Sequence, residues 1–188
     1  MQHRLLVVTD STRCPRPLPE QVALALRGGP FALVLRDKHL QWTDRAALAE
    51  ELGPLLAASG GLLIVSDPPV AVEAAHLSAS FPFPRPRPAL VGRSVHAGET
   101  PEPDLDYCTY SPVWPTASKP GYGPALGTRK LAAFCAASSV PVFALGGADL
   151  PERARAAREA GAAGVAVMGA VMRAEDPERA VRALQAAL

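Results

Sequence analysis

Eight short apolar runs, each ended by a polar or glycine-rich step, constrain this chain more than any other feature. They are Leu5–Val8, Phe31–Leu35, Leu62–Val65, Ala75–Leu77, Ala89–Gly92, the first half of Asp106–Pro120, Val140–Leu145 and Gly164–Met168. Runs this short, bounded by polar or glycine-rich steps, read as buried strands. Between them lie segments with helical spacing: Leu18–Leu26, Asp44 to about Ala58, Gly127–Ser138, Leu150–Ala160 and Pro177–Leu188. Asp44 and Asp176 suit N-caps, and Gly60–Gly61 and Gly161 suit C-terminal stops. Pro68–Pro69 predict a further short helix through Ala75, with proline in the first turn. Gly169 opens one more helical turn.

Strands alternating with helices imply right-handed βα units and a parallel sheet. Eight strands imply closure, so the expected fold is α/β, a (β/α)8 barrel of one domain over residues 1–188. Two connections resist a helix. SFPFPRPRP at Ser80–Pro88 alternates prolines and favours an extended link, and Ala97–Asp104 holds one turn at most. These reduced helices account for a length below the ~200 residues or more usual for such barrels. The rival, an open doubly wound sheet, lacks an early G-x-G-x-x-G turn.

A net charge of +1 gives no electrostatic case for nucleic acid or membrane binding. No apolar run approaches the ~18 residues of a membrane span. The start, MQHRLLVVTD, breaks at Asp10 too early for a secretory signal, so a cytoplasmic protein is expected. Cys14, Cys108 and Cys135 form an odd set without C-x-x-C spacing, which argues against a disulfide framework or a zinc site.

In a parallel barrel, chemistry collects at the C-terminal ends of the strands. Those ends carry Arg36 and Lys38 after the second strand, Asp67 after the third and His76 within the fourth. Ser94 and His96 follow the fifth, and Thr116, Ser118 and Lys119 follow the sixth. Hydroxyls donate and ammonium groups act as point charges, a combination suited to phosphate or diphosphate. Gly146 and Gly147 after the seventh strand, and Met168–Gly169 after the eighth, occupy the place of the barrel phosphate site, where bare N–H groups can hold a dianion. They also fit simple tight turns. Asp67 is the leading metal-ligand candidate, with helix capping as its other reading. His76 and His96 are candidates for general acid or base, or hydrogen-bonded structural residues.

Taken in order, these segments resemble the thiamine-phosphate synthase/TenI family. The resemblance rests on LLVVTD, VLRDK at Val34–Lys38, IVSD at Ile64–Asp67, AHL at Ala75–Leu77 and VGRSVH at Val91–His96. It continues through SPVWPTASKP at Ser111–Pro120, PVFALGG at Pro141–Gly147 and GAAGVAVMGAV at Gly161–Val171. It implies an eight-stranded barrel that binds a thiazole phosphate. Synthase members join a pyrimidine diphosphate to that phosphate using Mg2+, whereas TenI-type members tautomerise its carboxylate precursor. Thr116, Ser118, Gly146, Gly147, Met168 and Gly169 match the thiazole-phosphate half. Arg36, Lys38 and Lys119 match the diphosphate cations, and Asp67 matches one magnesium aspartate. The usual Gln and Asn are Val34 and Ser66 here. The second magnesium aspartate would fall near Ser80–Phe81, and the TenI-type histidine at Pro112. The expectation is a TenI-like thiazole tautomerase with His76 or His96 moving the proton and no cofactor assigned. The alternatives are a Mg2+-dependent synthase with a reduced metal site, or a phosphate-ligand-binding protein without chemistry. Reduced helices expose apolar surface, so a homo-oligomer is expected.

Overall fold

The computed structural model describes residues 2–116 and 124–188. Its strands are β1 (Leu5–Val8), β2 (Ala32–Leu35), β3 (Leu62–Ser66), β4 (Ala74–Leu77), β5 (Leu90–Val95), β6 (Tyr107–Tyr110), β7 (Val142–Leu145) and β8 (Gly164–Val167). Each pairs in parallel with its neighbour in sequence, and β8 pairs with β1, closing the barrel. The helices are α1 (Leu18–Leu26), α2 (Trp42–Ala58), α3 (Gly127–Ala137), α4 (Pro151–Glu159), α5 (Gly169–Met172) and α6 (Pro177–Gln185).

Period-two alternation separates two cores. Leu6, Val34, Ile64, Tyr107, Phe143 and Ala166 point inward and fill the barrel. Leu5, Val7, Leu33, Leu35, Val165 and Val167 point outward and pack, with helical residues such as Val22, Leu52 and Val181, into a surrounding layer. Asp176 caps α6 as expected, its carboxylate accepting the Arg179 N–H at 2.9 Å. Asp44 does not cap α2. The helix starts two residues earlier after Gln41, which leaves Asp44 in the first turn, where a negative charge suits the helix dipole.

The helix expected from Pro68 does not form. Asp67 turns the chain with φ +43°, its N–H donating to the His76 carbonyl at 3.0 Å. The few residues between Ser66 and Ala74 are then consumed by the turn. Helices are therefore missing from three successive connections, β3 to β4, β4 to β5 and β5 to β6. Arg93 compensates for part of this loss. It lies on the outer face of β5, is 8% exposed, and its guanidinium donates to the carbonyls of Ser78 (3.0 Å), Ala79 (3.0 Å) and Phe81 (2.7 Å). Its Nε lies 3.2 Å from the Glu102 carboxylate. The proline-rich segment is thus tied across the sheet, and Phe81 and Phe83 pack on the outer core in place of a helix.

The outward residues Ala75, Leu77 and Val91 are fully buried within one chain. Among the described residues the large exposed apolar side chains are the scattered Leu55, Val70 and Leu150. No helix among these residues is long and apolar enough to cross a membrane.

Candidate functional site

A cavity of about 240 Å³ opens at the C-terminal mouth of the barrel. Its floor is apolar, made by Leu6, Val8, Val34, Leu145 and Ala166. Its walls bring together most of the residues predicted from strand ends: Arg36, Lys38, His76, Ser94, His96, Thr116, Gly146, Gly147, Met168 and Gly169. Ser118 and Lys119 lie outside the described residues.

One wall is cationic. Asp37, only 1% exposed, turns back into the protein, where its carboxylate accepts the Thr9 hydroxyl and, at 2.6 Å, the Ser11 N–H. The Arg36 N–H donates to Thr9 Oγ1 at 2.8 Å. This anchoring fixes the β2 loop and leaves the flanking Arg36 and Lys38 lining the cavity. Lys38 Nζ sits 2.5 Å from Asp67 Oδ2, while Asp67 Oδ1 accepts the Ser78 N–H at 2.7 Å. Burial alone would raise the Asp67 carboxyl; the Lys38 ammonium and the Ser78 N–H more than offset it and hold the group below its ordinary range.

The donor set does not fit the divalent cation that the resemblance implies. Both Asp67 oxygens are engaged within the protein, Ser66 supplies only a hydroxyl, and Ser80–Phe81 bring no carboxylate. Among the described residues no three His, Cys, Asp or Glu side chains converge as metal ligands. In this structure the Asp67 carboxylate instead pairs with Lys38 and braces the Ser78 loop.

The second wall is a hydrogen-bonded chain. His76 is 7% exposed; its Nδ1 lies 3.0 Å from the Tyr107 hydroxyl and its Nε2 3.0 Å from Ser94 Oγ. Thr109 Oγ1 donates to Ser94 Oγ at 3.4 Å. Burial pushes the His76 imidazole down to about 4, so it is neutral at pH 7, and burial pushes the Tyr107 phenol up. Room for that phenol comes from Gly92, where a Cβ would lie 2.0 Å from the Tyr107 ring. With both ring nitrogens held inside the barrel wall, His76 does not have the geometry expected of an acid or base facing substrate. His96 also lines the cavity, its Nδ1 3.3 Å from the Ser111 carbonyl.

The third wall is built from glycines. Gly146 and Gly147 have φ of +89° and +67°, and a Cβ at Gly147 would meet the Pro115 carbonyl at 2.5 Å. A Cβ at Gly169 would collide with the Arg173 guanidinium, and Arg153 donates to the Gly147 carbonyl at 2.7 Å. Asp149 also lines this wall. Burial raises its carboxyl, with Arg173 and Arg153 pulling the other way. The only trace of Asp149 in the sequence is a charge two residues past a glycine pair.

The family described as thiamine monophosphate synthase matches residues 5–79 and 85–171. A protein named thiamine-phosphate synthase from Roseiflexus sp. (strain RS-1) is 36% identical over 97% of this chain and 84% of its own length. One of the same name from Mycobacterium tuberculosis is 32% identical over 98% and 94%. Among solved structures, a thiamine phosphate pyrophosphorylase from Pyrococcus furiosus superposes with a TM-score of 0.82 at 27% identity, covering 98% of this chain and 94% of that one.

Proposed function

The chain belongs to the thiamine-phosphate synthase/TenI family of thiamine biosynthesis, and from that premise we propose that it is a synthase, joining a pyrimidine diphosphate to a thiazole phosphate. The observation that carries this reading is that one cavity brings together two anion-suited groups, Arg36 and Lys38 after β2 and the glycine turns after β7 and β8. Two such groups suit a reaction between two phosphorylated substrates, whereas a tautomerase needs one.

In the proposed reaction the C–O bond between the pyrimidine methylene and the diphosphate breaks, and its electron pair leaves with the diphosphate. Arg36 and Lys38 take up the negative charge that develops there. The thiazole nitrogen then donates its lone pair to the pyrimidine methylene cation, forming the new C–N bond. N–H groups around Gly146, Gly147 and Gly169, with the Thr116 hydroxyl, hold the thiazole phosphate and orient that nitrogen. The floor of Leu6, Val8, Val34 and Ala166 keeps water from the cation.

A second reading, the TenI-type tautomerase, is favoured by one observation: Asp67 is committed to Lys38 and Ser78. In that reading His96, at the cavity wall beside Pro112, carries the proton. A paired turnover assay separates the two. One arm supplies the thiazole phosphate carboxylate alone. The other supplies pyrimidine diphosphate and thiazole phosphate, with and without Mg2+. Thiamine phosphate formation supports the synthase. Isomerisation in the first arm with silence in the second replaces it with the tautomerase, and silence in both leaves a phosphate-binding protein.

A further inference from the structure

We infer that Tyr107 is a positioning residue that acts through His76 to aim the Ser94 hydroxyl hydrogen into the cavity, toward an anionic oxygen of the substrate. The inference deepens the proposed function, since it assigns the source of a directed hydrogen bond at the same site.

The polarity of the chain follows from counting donors and acceptors. The Tyr107 side chain is fully buried, and among the described residues its hydroxyl has one polar partner, His76 Nδ1 at 3.0 Å. A buried phenol that only accepted this bond would leave its own hydrogen unpaired, at a desolvation cost larger than the bond is worth. Tyr107 therefore donates and Nδ1 accepts. A neutral imidazole carries one proton, so that proton sits on Nε2 and is donated to Ser94 Oγ, 3.0 Å away. Thr109 donates to the same oxygen from 3.4 Å. Both acceptor positions of Ser94 are then used, and its remaining hydrogen turns toward the half-buried, cavity-facing side.

The fold commits three positions to this arrangement. His76, Ser94 and Thr109 occupy consecutive inward positions on β4, β5 and β6, and Gly92 lies in register with both His76 and Tyr107. Any side chain at Gly92 would occupy the space of the phenol ring. His76 also stacks near that ring, with centroids 5.6 Å apart, which holds the imidazole against rotation.

The test reads the tautomer directly and needs no substrate. Side-chain 15N NMR of the whole protein at pH 7, with the His76 signals assigned by His76→Gln, is expected to show proton on Nε2 alone. Tyr107→Phe keeps the ring and removes the donor; a mixture of the two tautomers is expected. In the synthase assay the same variant is expected to lose about 5- to 10-fold in kcat, the worth of one directed hydrogen bond, with KM for thiazole phosphate within about twofold. Wild-type His76 protonated on Nδ1 would overturn the inference whether or not Tyr107→Phe folds. An unchanged tautomer and unchanged kcat in a folded Tyr107→Phe would also overturn it. If the wild-type protein turns over neither substrate pair, the proposed function fails while the wild-type tautomer still decides the relay.

Discussion

Lys38 and Asp67 meet across the loops after neighbouring strands, ammonium to carboxylate at 2.5 Å, in a pocket where only 11% of the aspartate side chain is exposed. An internal cation thus faces the carboxylate that the family resemblance assigns to a metal. For the synthase reading, turnover is expected to change less than about twofold when a strong chelator replaces Mg2+, and to fall about 10- to 100-fold in Lys38→Ala, which removes a cation from the departing diphosphate. Steady-state assays in both buffers check this; loss of activity with chelator would show that the metal is held without a second carboxylate.

Gly92→Ala is expected to destabilise the protein by about 1–3 kcal/mol or more, because the added Cβ collides with the Tyr107 ring in the tightly packed barrel interior. Chemical denaturation should show a lower midpoint at unchanged slope. A midpoint equal to wild type would mean that the phenol has room to move.

Acid stability should carry the mark of His76. Burial sets its folded-state value near 4 against 6.5 for the free group. Between these values the unfolded chain binds the extra proton, so stability is fully present above about pH 6.5 and declines as pH falls toward 4. Denaturant titrations across that window should show a shallower decline in His76→Gln. An equal slope would assign the acid sensitivity elsewhere, with His3, also lowered by burial, as the first alternative.

Arg93→Ala removes three hydrogen bonds from a charged donor to the Ser78, Ala79 and Phe81 carbonyls. A loss of about 2–4 kcal/mol is expected, with faster proteolysis in 78–88. Arg93→Lys should not restore the wild-type value, since one ammonium cannot meet both the carbonyls that Nη1 reaches and the Glu102 carboxylate that Nε faces. Limited proteolysis with mass spectrometry locates the cut, and protection of 78–88 in Arg93→Ala would refute the clamp.

The barrel was legible because each strand is a short apolar run with a distinct stop, as at Leu5–Val8 before Thr9–Asp10. Helix ends were less so. At Pro68 the local signal for a first helical turn lost to Asp67, whose left-handed backbone turns the chain at once into β4. The mouth of the cavity was readable from strand ends, since Arg36, Lys38, Ser94 and Gly146 all stand there. Tyr107 was not, because its contribution depends on strand register: only pairing with Gly92 shows that a glycine in one strand houses a phenol from the next. The commitment of Asp67 to Lys38 depends in the same way on two loops meeting, which neither loop announces alone.

The three helix-free connections are expected to divide the barrel kinetically as well as architecturally. Strands β2 and β3 are backed by α2 and β8 by α4, so their backbone bonds are expected to open only with a large packed unit. β4 and β5 are backed by an irregular segment held by the Arg93 guanidinium and by the packing of Phe81 and Phe83. Amides there are expected to exchange through a smaller cooperative opening than those of the helix-backed strands. The same strands carry His76 and Ser94, so this wall of the cavity is the part of the barrel expected to open more readily.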